Sequence, residues 1–248
     1  MRLLHPDPGP TSPEELAAGL RLAELAPAER PYVALNMVAS LDGKAAVEGH
    51  TKALSSELDR RYFHLLRAQA EAVMVGAGTL RAERYGAMTK SDELRDIRER
   101  QGLAPDPLAV VVSARLHLPA DLPLLNEPTQ PVLIATASEG RLEGLGDQVR
   151  YLNVGDDLPL LMARLRADHG IRSVLCEGGP TLNSHLISAG LVDELFLTLH
   201  PKLTGGADAL TIVAGRTFLE PEELALVSLA EGDGDLFTRW RVQKGLHS

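Results

Sequence analysis

Residues 174–182 read Val174-Leu175-Cys176-Glu177-Gly178-Gly179-Pro180-Thr181-Leu182. A short, continuously apolar run ends in an acid, two glycines turn the chain, and a proline opens the next segment. Runs of that kind suit a strand buried on both faces, as in a parallel sheet sandwiched by helices. Proline is at home in the first turn of a helix, and Gly190 stands just past the expected end of the helix Pro180 to Ala189. The same grammar occurs earlier, where Val73-Met74-Val75 runs into Gly76-Ala77-Gly78-Thr79. Glycine lets a backbone approach an anion, and a helix start presents free N–H groups to it. Taken singly, each corner reads equally as a plain strand-to-helix turn. Two in one sheet can form opposite walls of a cleft for a phosphate-rich, nucleotide-like ligand.

Outward from these corners the chain alternates. Tyr32 to Ser40, Ala72 to Val75, Ala109 to Val112, Val132 to Ala135 and Val174 to Cys176 read as strands. Ser55 to Ala70 and Asp157 to His169 read as helices, the first carrying Leu58, Tyr62, Leu65, Leu66 and Gln69 at three- and four-residue spacing. The tail changes character. Glu194 to Leu199, Leu224 to Ala230 and Leu236 to Val242 read as strands, with Gly232-Asp233-Gly234 joining the last two as a hairpin. The fold class is therefore α/β: one domain with a central, mostly parallel sheet, helices on both faces and a C-terminal antiparallel hairpin. Residues 1–30, with four early prolines and a helix expected from Ser12 to Leu25, read as an N-terminal extension or arm before a domain of residues 31–248.

Composition removes several functions. A net charge of -9 disfavours nucleic acid, whose backbone is met by surplus Lys and Arg, and aromatics at 4% disfavour stacking platforms. One cysteine, Cys176, makes neither a disulfide framework nor a cysteine zinc site, and no metal site is expected. No apolar run is long enough for a membrane helix, and the start MRLLHPDPGPTSPEE has no signal-peptide pattern, so a cytoplasmic protein is expected. Neither HExxH nor HxH spacing occurs, so the histidines are expected at packing or surface positions. No G-x-S-x-G marks a catalytic serine. The Gly76-x-Gly78 start lacks the third glycine of a dinucleotide fingerprint, with Arg81 in its place, so an ordinary Rossmann reading fails.

A third cluster, Asn36-Met37-Val38-Ala39-Ser40-Leu41-Asp42-Gly43-Lys44, puts an acid and a cation at the end of the first body strand, where α/β sheets bind ligands. Asp42-Gly43 reads equally as a simple turn.

In this order and spacing the clusters resemble the reductase family of riboflavin biosynthesis, whose fold is similar to dihydrofolate reductase. The motifs are SLDGK (Ser40 to Lys44), HLLRAQAEAVMVGAGTL (His64 to Leu80), LCEGGPTL (Leu175 to Leu182) and LVDELFLTLHPKLTGG (Leu191 to Gly206). The resemblance implies hydride transfer from NADPH to ribose C1′ of a ribosylaminopyrimidine 5′-phosphate, giving the ribitylamino form. It lays Ala39, Thr79, Glu83, Ser113 and the turn Gly178, Gly179, Pro180, Thr181, Leu182, Asn183 and Ser184 on the cofactor, where Gly76 and Gly78 join them. It lays Thr51, Arg67 and Glu177 on the substrate, with Arg67 toward its phosphate, and brings Asn36, Asp42 and Lys44 nearest the reaction. The family's habit, with the apolar Leu191 to Leu199, implies a homodimer.

Three positions depart from the pattern. Many bacterial members carry lysine at Asn36, where asparagine resembles the archaeal and fungal branch. Arg84 to Ala87 lacks an Asp-Pro-x-Leu, and Ala53 replaces a frequent tryptophan. No His-x-Glu with Pro-Cys-x-x-Cys occurs, so zinc deamination is not expected. Two other readings stay open: a reductase of a dihydrofolate-like or other pterin or pyrimidine substrate, and a non-catalytic nucleotide-binding protein.

Overall fold

The computed structural model describes residues 1–46, 50, 52–206 and 209–243. In chain order the elements are β1 (Arg2–His5), β2 (Gly9–Pro10), α1 (Pro13–Ala17), β3 (Tyr32–Ser40), α2 (Glu57–Arg67), β4 (Ala72–Gly76), α3 (Ala77–Glu83), α4 (Asp92–Arg100), β5 (Leu108–Val112), β6 (Val132–Thr136), β7 (Val149–Asn153), α5 (Leu158–His169), β8 (Ser173–Cys176), α6 (Pro180–Ser188), β9 (Glu194–His200), β10 (Leu224–Gly232) and β11 (Asp235–Val242). All the strands join one sheet in the order β2-β1-β10-β11-β9-β3-β8-β4-β5-β6-β7. From β9 across to β7 every pairing is parallel. From β9 the other way every pairing is antiparallel.

The inner parallel strands β4, β5, β6 and β8 are buried on both faces, as their unbroken apolar runs require. Met74, Val110, Leu133 and Val174 pack against Leu161, Met162 and Leu165 of α5 and Leu186 of α6. On the opposite face Val73, Val75, Val111 and Ile134 meet Leu80, Met88, Leu122 and Leu124. Farther along that face, Ala34, Leu175 and Phe196 meet Tyr62, Leu65 and Leu66 of α2. Because β8 lies between β3 and β4, the carboxyl ends of all three open onto one edge, and the two glycine corners stand beside each other there.

The tail hairpin turns through Asp233 (φ 53°) and Gly234 (φ 84°), the paired left-handed residues of a two-residue turn that follows the strand twist.

Several elements differ from the sequence expectations. The single helix expected from Ser12 to Leu25 is two short turns, α1 and a 3-10 turn Leu22–Leu25, because Gly19 (φ 72°) and Arg21 (φ 43°) are left-handed between them. Residues 1–30 also reach into the sheet: β1 pairs with β10, and Ala17, Leu20 and Leu22 are buried beside α2. α4 and the edge strand β7 were not foreseen. α4 closes the end of α2, since its buried Arg98 donates to the carbonyls of Arg67 and Ala70. Among the described residues no helix is long and apolar enough to cross a membrane.

Candidate functional site

Two cavities adjoin at the carboxyl edge of the parallel strands. The larger, about 630 Å³, is lined at one corner by Gly76, Ala77, Gly78 and Thr79 and at the other by Gly179, Pro180, Thr181 and Leu182. Ser113 at the end of β5 and Glu83 at the end of α3 complete the expected lining. Arg81, Arg115, His117 and His185 add cationic or polar side chains to its wall. The smaller, about 450 Å³, is lined by Asn36, Met37 and Val38 of β3, by Ser55 with Asp59, Arg60, Phe63 and His64 of α2, and by Tyr85. Met37, Ala45, Glu83, Tyr85 and Glu177 line both, so the two are one cleft with two chambers. Both volumes fall in the range of small-molecule sites.

The glycines at the corners have different duties. A Cβ on Gly78 would meet nothing within 4 Å, so that position is open toward the cavity. A Cβ on Gly179 would meet Thr79 Oγ1 at 2.7 Å, and one on Gly76 would meet the Gly179 backbone nitrogen at 3.2 Å. The corners are packed on each other, and Gly76 N–H donates to the Gly178 carbonyl at 2.7 Å. Gly179 must be glycine for this contact even before a ligand is considered.

Asn36 stands where it was expected, and its amide nitrogen Nδ2 is buried with no hydrogen-bond partner among the described residues. His64 Nδ1 is in the same condition. Burial, ahead of the charges of Arg67, Lys90, Arg61 and Arg60, pushes the His64 imidazole down to about 4, so the ring is neutral at physiological pH. Two orphaned polar nitrogens on the smaller chamber are unusual in a folded interior and point to a polar ligand there.

Other expected positions are corrected. Arg67, expected to meet a substrate phosphate, is 3% exposed and grips Glu177 with Nε and Nη2 at 2.6 and 2.7 Å. Its third contact is the Met88 carbonyl, and its guanidinium lies 4.3 Å from the centre of the Phe63 ring and 5.1 Å from that of Tyr85. Burial alone would lower its pKa, but the Glu177 carboxylate leaves it raised. The pair is a buried strut behind the wall: Glu177 faces the cleft, and Arg67 stands behind it.

Asp42 and Lys44, expected nearest the reaction, line neither chamber. Asp42 is exposed and its carboxylate is committed. It accepts from Ser40 Oγ at 2.5 Å and from the backbone N–H groups of Thr204 and Gly205 at 3.1 and 2.7 Å, fastening one loop to another. These bonds, Ser40 first, hold its carboxyl down at about 2. The Lys44 backbone donates to Ser40 Oγ and bridges to Thr211.

Ala39 is 2% exposed and sits farther along β3 than the cavity residues. Asn183 and Ser184 face the 212–215 segment instead of the cavity: Asn183 Nδ2 donates to the Ile212 carbonyl at 2.8 Å, and Ser184 Oγ packs on Gly215. Gly178 contributes its carbonyl to the corner without lining the cavity. Thr51 lies outside the described residues.

Sequence reasoning missed Asp59, Phe63, His64, Arg81, Tyr85, Arg115, His117 and His185. The histidines were expected at packing or surface positions, yet three of them line the cleft. His64 falls on the helix face carrying Arg67, a spacing that a closer reading of α2 would have caught. Among the described residues no cluster of His, Cys, Asp or Glu could hold a metal.

With this geometry in place, comparison with known proteins is decisive. The family described as RibD C-terminal domain matches residues 31–237. A protein of Archaeoglobus fulgidus named 2,5-diamino-6-ribosylamino-4(3H)-pyrimidinone 5′-phosphate reductase is 37% identical over 196 residues, covering 77% of this chain and 90% of that one. A protein of Aquifex aeolicus with the same name is 30% identical over 230 residues, covering 86% and 97%. The crystal structure of a pyrimidine reductase-like protein from Corynebacterium diphtheriae matches with a TM-score of 0.76 at 22% identity, over 95% of this chain and 100% of that one. At that identity it speaks for the fold alone. The chain thus belongs to the RibD C-terminal domain family, the pyrimidine reductases of riboflavin biosynthesis, and is an oxidoreductase.

Proposed function

We propose that this protein reduces the ribose of a ribosylaminopyrimidine 5′-phosphate to the open ribitylamino chain, with NADPH as the hydride donor. One observation carries the reading: two chambers of different chemistry meet at Met37, Ala45, Glu83, Tyr85 and Glu177. The larger has glycine corners, two helix starts and the cations Arg81 and Arg115, which suit a phosphate-bearing dinucleotide. The smaller has two orphaned polar nitrogens, and Phe63 and Tyr85 add aromatic side chains to its lining, which suits a sugar joined to a flat heterocycle. The residues present fit NADPH, since the open face of Gly78 leaves the backbone of that corner accessible to a pyrophosphate. The names of the Archaeoglobus fulgidus and Aquifex aeolicus relatives support the same substrate class.

NADPH, when bound, supplies a hydride from nicotinamide C4. The chain's own work is to hold and enclose. Asn36 Nδ2 donates to a sugar oxygen, which ends its isolation. Met37 and Ala45 fill the junction and keep water from the reacting carbon. Glu177, fixed by Arg67, forms a rigid acceptor for sugar hydroxyls. With Arg67 committed to Glu177, Arg60 is the cation of the smaller chamber available to the 5′-phosphate.

The protein acts as a homodimer in this reading. Leu195, Leu197 and Leu199 of β9 are half-buried, on the sheet face shared with the half-buried Leu236 and Trp240 of β11. An apolar face of this kind suits a second copy.

The test is NADPH oxidation with ribosylaminopyrimidine phosphate beside dihydrofolate, with the product identified by mass. Formation of the ribitylamino product is expected. Turnover of dihydrofolate alone, or NADPH binding with no turnover of either, overturns the reading.

A further inference from the structure

The reduction consumes a proton, and nothing described so far supplies it. We propose that Asp59 is the proton donor: its carboxyl protonates the ribose ring oxygen as the C1′–O4′ bond breaks. This rests on the reading under Proposed function.

Asp59 lines the smaller chamber and is 8% exposed. It sits in the first turn of α2, where its own N–H is already capped by Ser56 Oγ at 3.0 Å. Its carboxyl takes a hydrogen bond from Ser55 Oγ at 2.5 Å and another from the Thr198 hydroxyl. Among the described residues it has no ion pair with Arg, Lys or His. A second buried carboxylate, Asp235, stands close by and has its own partner in His200 Nδ1 at 2.5 Å. A carboxyl out of water, held by hydroxyls alone and beside another acid, keeps its proton to higher pH than usual. Burial is the leading cause of that upward shift, with Asp235 adding to it.

The groups facing Asp59 are Ser55, Arg60 and His64 on its own side, Thr198 and His200 from β9, Asp235 from β11, and Glu83, Tyr85 and Glu177 across the chamber. Most of these cannot take the role. Glu177 spends both oxygens on Arg67, His64 is neutral at physiological pH, and burial makes the Tyr85 phenol a still weaker acid. Glu83 is the rival.

The step balances. The nitrogen lone pair forms a C1′–N double bond as C1′–O4′ breaks, and the ring oxygen takes the Asp59 proton to become a hydroxyl. C1′ then accepts the hydride, and the double-bond pair returns to nitrogen. The cofactor is oxidised by two electrons, the sugar carbon is reduced by two, and solvent returns one proton to Asp59.

The experiment measures kcat, KM and NADPH affinity against pH for the parent, Asp59→Asn, Asp59→Glu, Ser55→Ala and Glu83→Gln. The parent should lose kcat as pH rises through the Asp59 titration. Asp59→Asn should lower kcat about a hundredfold or more with cofactor affinity kept, and should abolish that limb. Asp59→Glu should restore part of the rate. Ser55→Ala, which removes a donor to the ionised form, should move the limb to higher pH even if Asp59→Asn does not fold. Infrared difference spectra should show a protonated-carboxyl band in the parent that Asp59→Asn lacks. Parental turnover in Asp59→Asn, an unmoved limb in Ser55→Ala, or loss of the limb in Glu83→Gln alone overturns the proposal. A parent that does not turn over the pyrimidine substrate is a different result and overturns the functional reading instead.

Discussion

The two halves of the sheet meet their surroundings in opposite ways. In β4 and β5 every central side chain is buried: Val73, Met74, Val75, Ala109, Val110 and Val111 are each 0% exposed, whichever face they take. In β9 the faces part company. Phe196 and Thr198 are buried toward α2, while Leu195, Leu197 and Leu199 on the other face are only half-covered. Connectivity is the cause. Parallel strands need crossovers, and those through α2, α3 with α4, α5 and α6 lay helices on the sheet, whereas β10 and β11 are joined by a two-residue turn that covers nothing. The cleft lies where the halves meet. Its larger chamber belongs to the parallel half, and its smaller one lies between β3 and α2, with Asp59 backed by Thr198 of β9.

If the parallel half is the rigid part, its buried charges should be the costliest to disturb. Arg67→Ala leaves Glu177 as an uncompensated buried carboxylate and should cost about 3–5 kcal/mol in denaturant unfolding. The double variant Arg67→Ala, Glu177→Gln should recover part of that loss. A cost under about 1 kcal/mol would mean that Arg67 is free to reach outward, as a phosphate contact requires.

Apolar truncation gives the next contrast. Ile134→Ala, on β6 at 0% exposure, should cost about 2–5 kcal/mol, because both faces are packed and the cavity cannot drain to solvent. Leu197→Asp, on the half-covered face of β9, should leave a folded chain and halve the mass seen by light scattering. A parent that is already monomeric at micromolar concentration removes the dimer.

This contrast also explains what could be read in advance. The parallel strands were legible because burial on both faces writes an unbroken apolar run, and the glycine corners because a turn is local. The edge strand β7 was missed because Arg150 and Asn153 are exposed and break the run. β1 and β2 were hidden among prolines, and the partner that brings β1 into the sheet, β10, lies more than two hundred residues away. The cleft was legible at Gly76 to Thr79, Gly179 to Leu182, Ser113 and Glu177, each at a corner that follows a strand, and at Asn36 within β3 and Glu83 at the end of α3. The engagement of Arg67 by Glu177, 110 residues apart, was not, because a side chain's partner is set by packing. Asp59 was invisible for the same reason: in the sequence it is one of 34 acids, set in the first turn of a helix.

The smallest effect is expected at Asp42. Its three partners make it a fastener between the Ser40 turn and the Thr204–Gly205 backbone, so Asp42→Asn should keep turnover and NADPH affinity near the parent's. Asparagine retains one oxygen for these N–H groups but loses the charge, so the thermal midpoint at pH 7 should fall slightly. The pH dependence has a definite sign. The folded carboxyl is lowered to about 2 from an ordinary 3.8, so its stabilisation is fully present above pH 3.8 and fades as pH falls toward 2. Asparagine does not titrate. Melting curves of parent and variant should therefore stand apart at neutral pH and converge in that acidic window. A constant gap at all pH values would show that the loss comes from shape and not from charge. A hundredfold fall in turnover with cofactor binding intact would return Asp42 to the reaction centre.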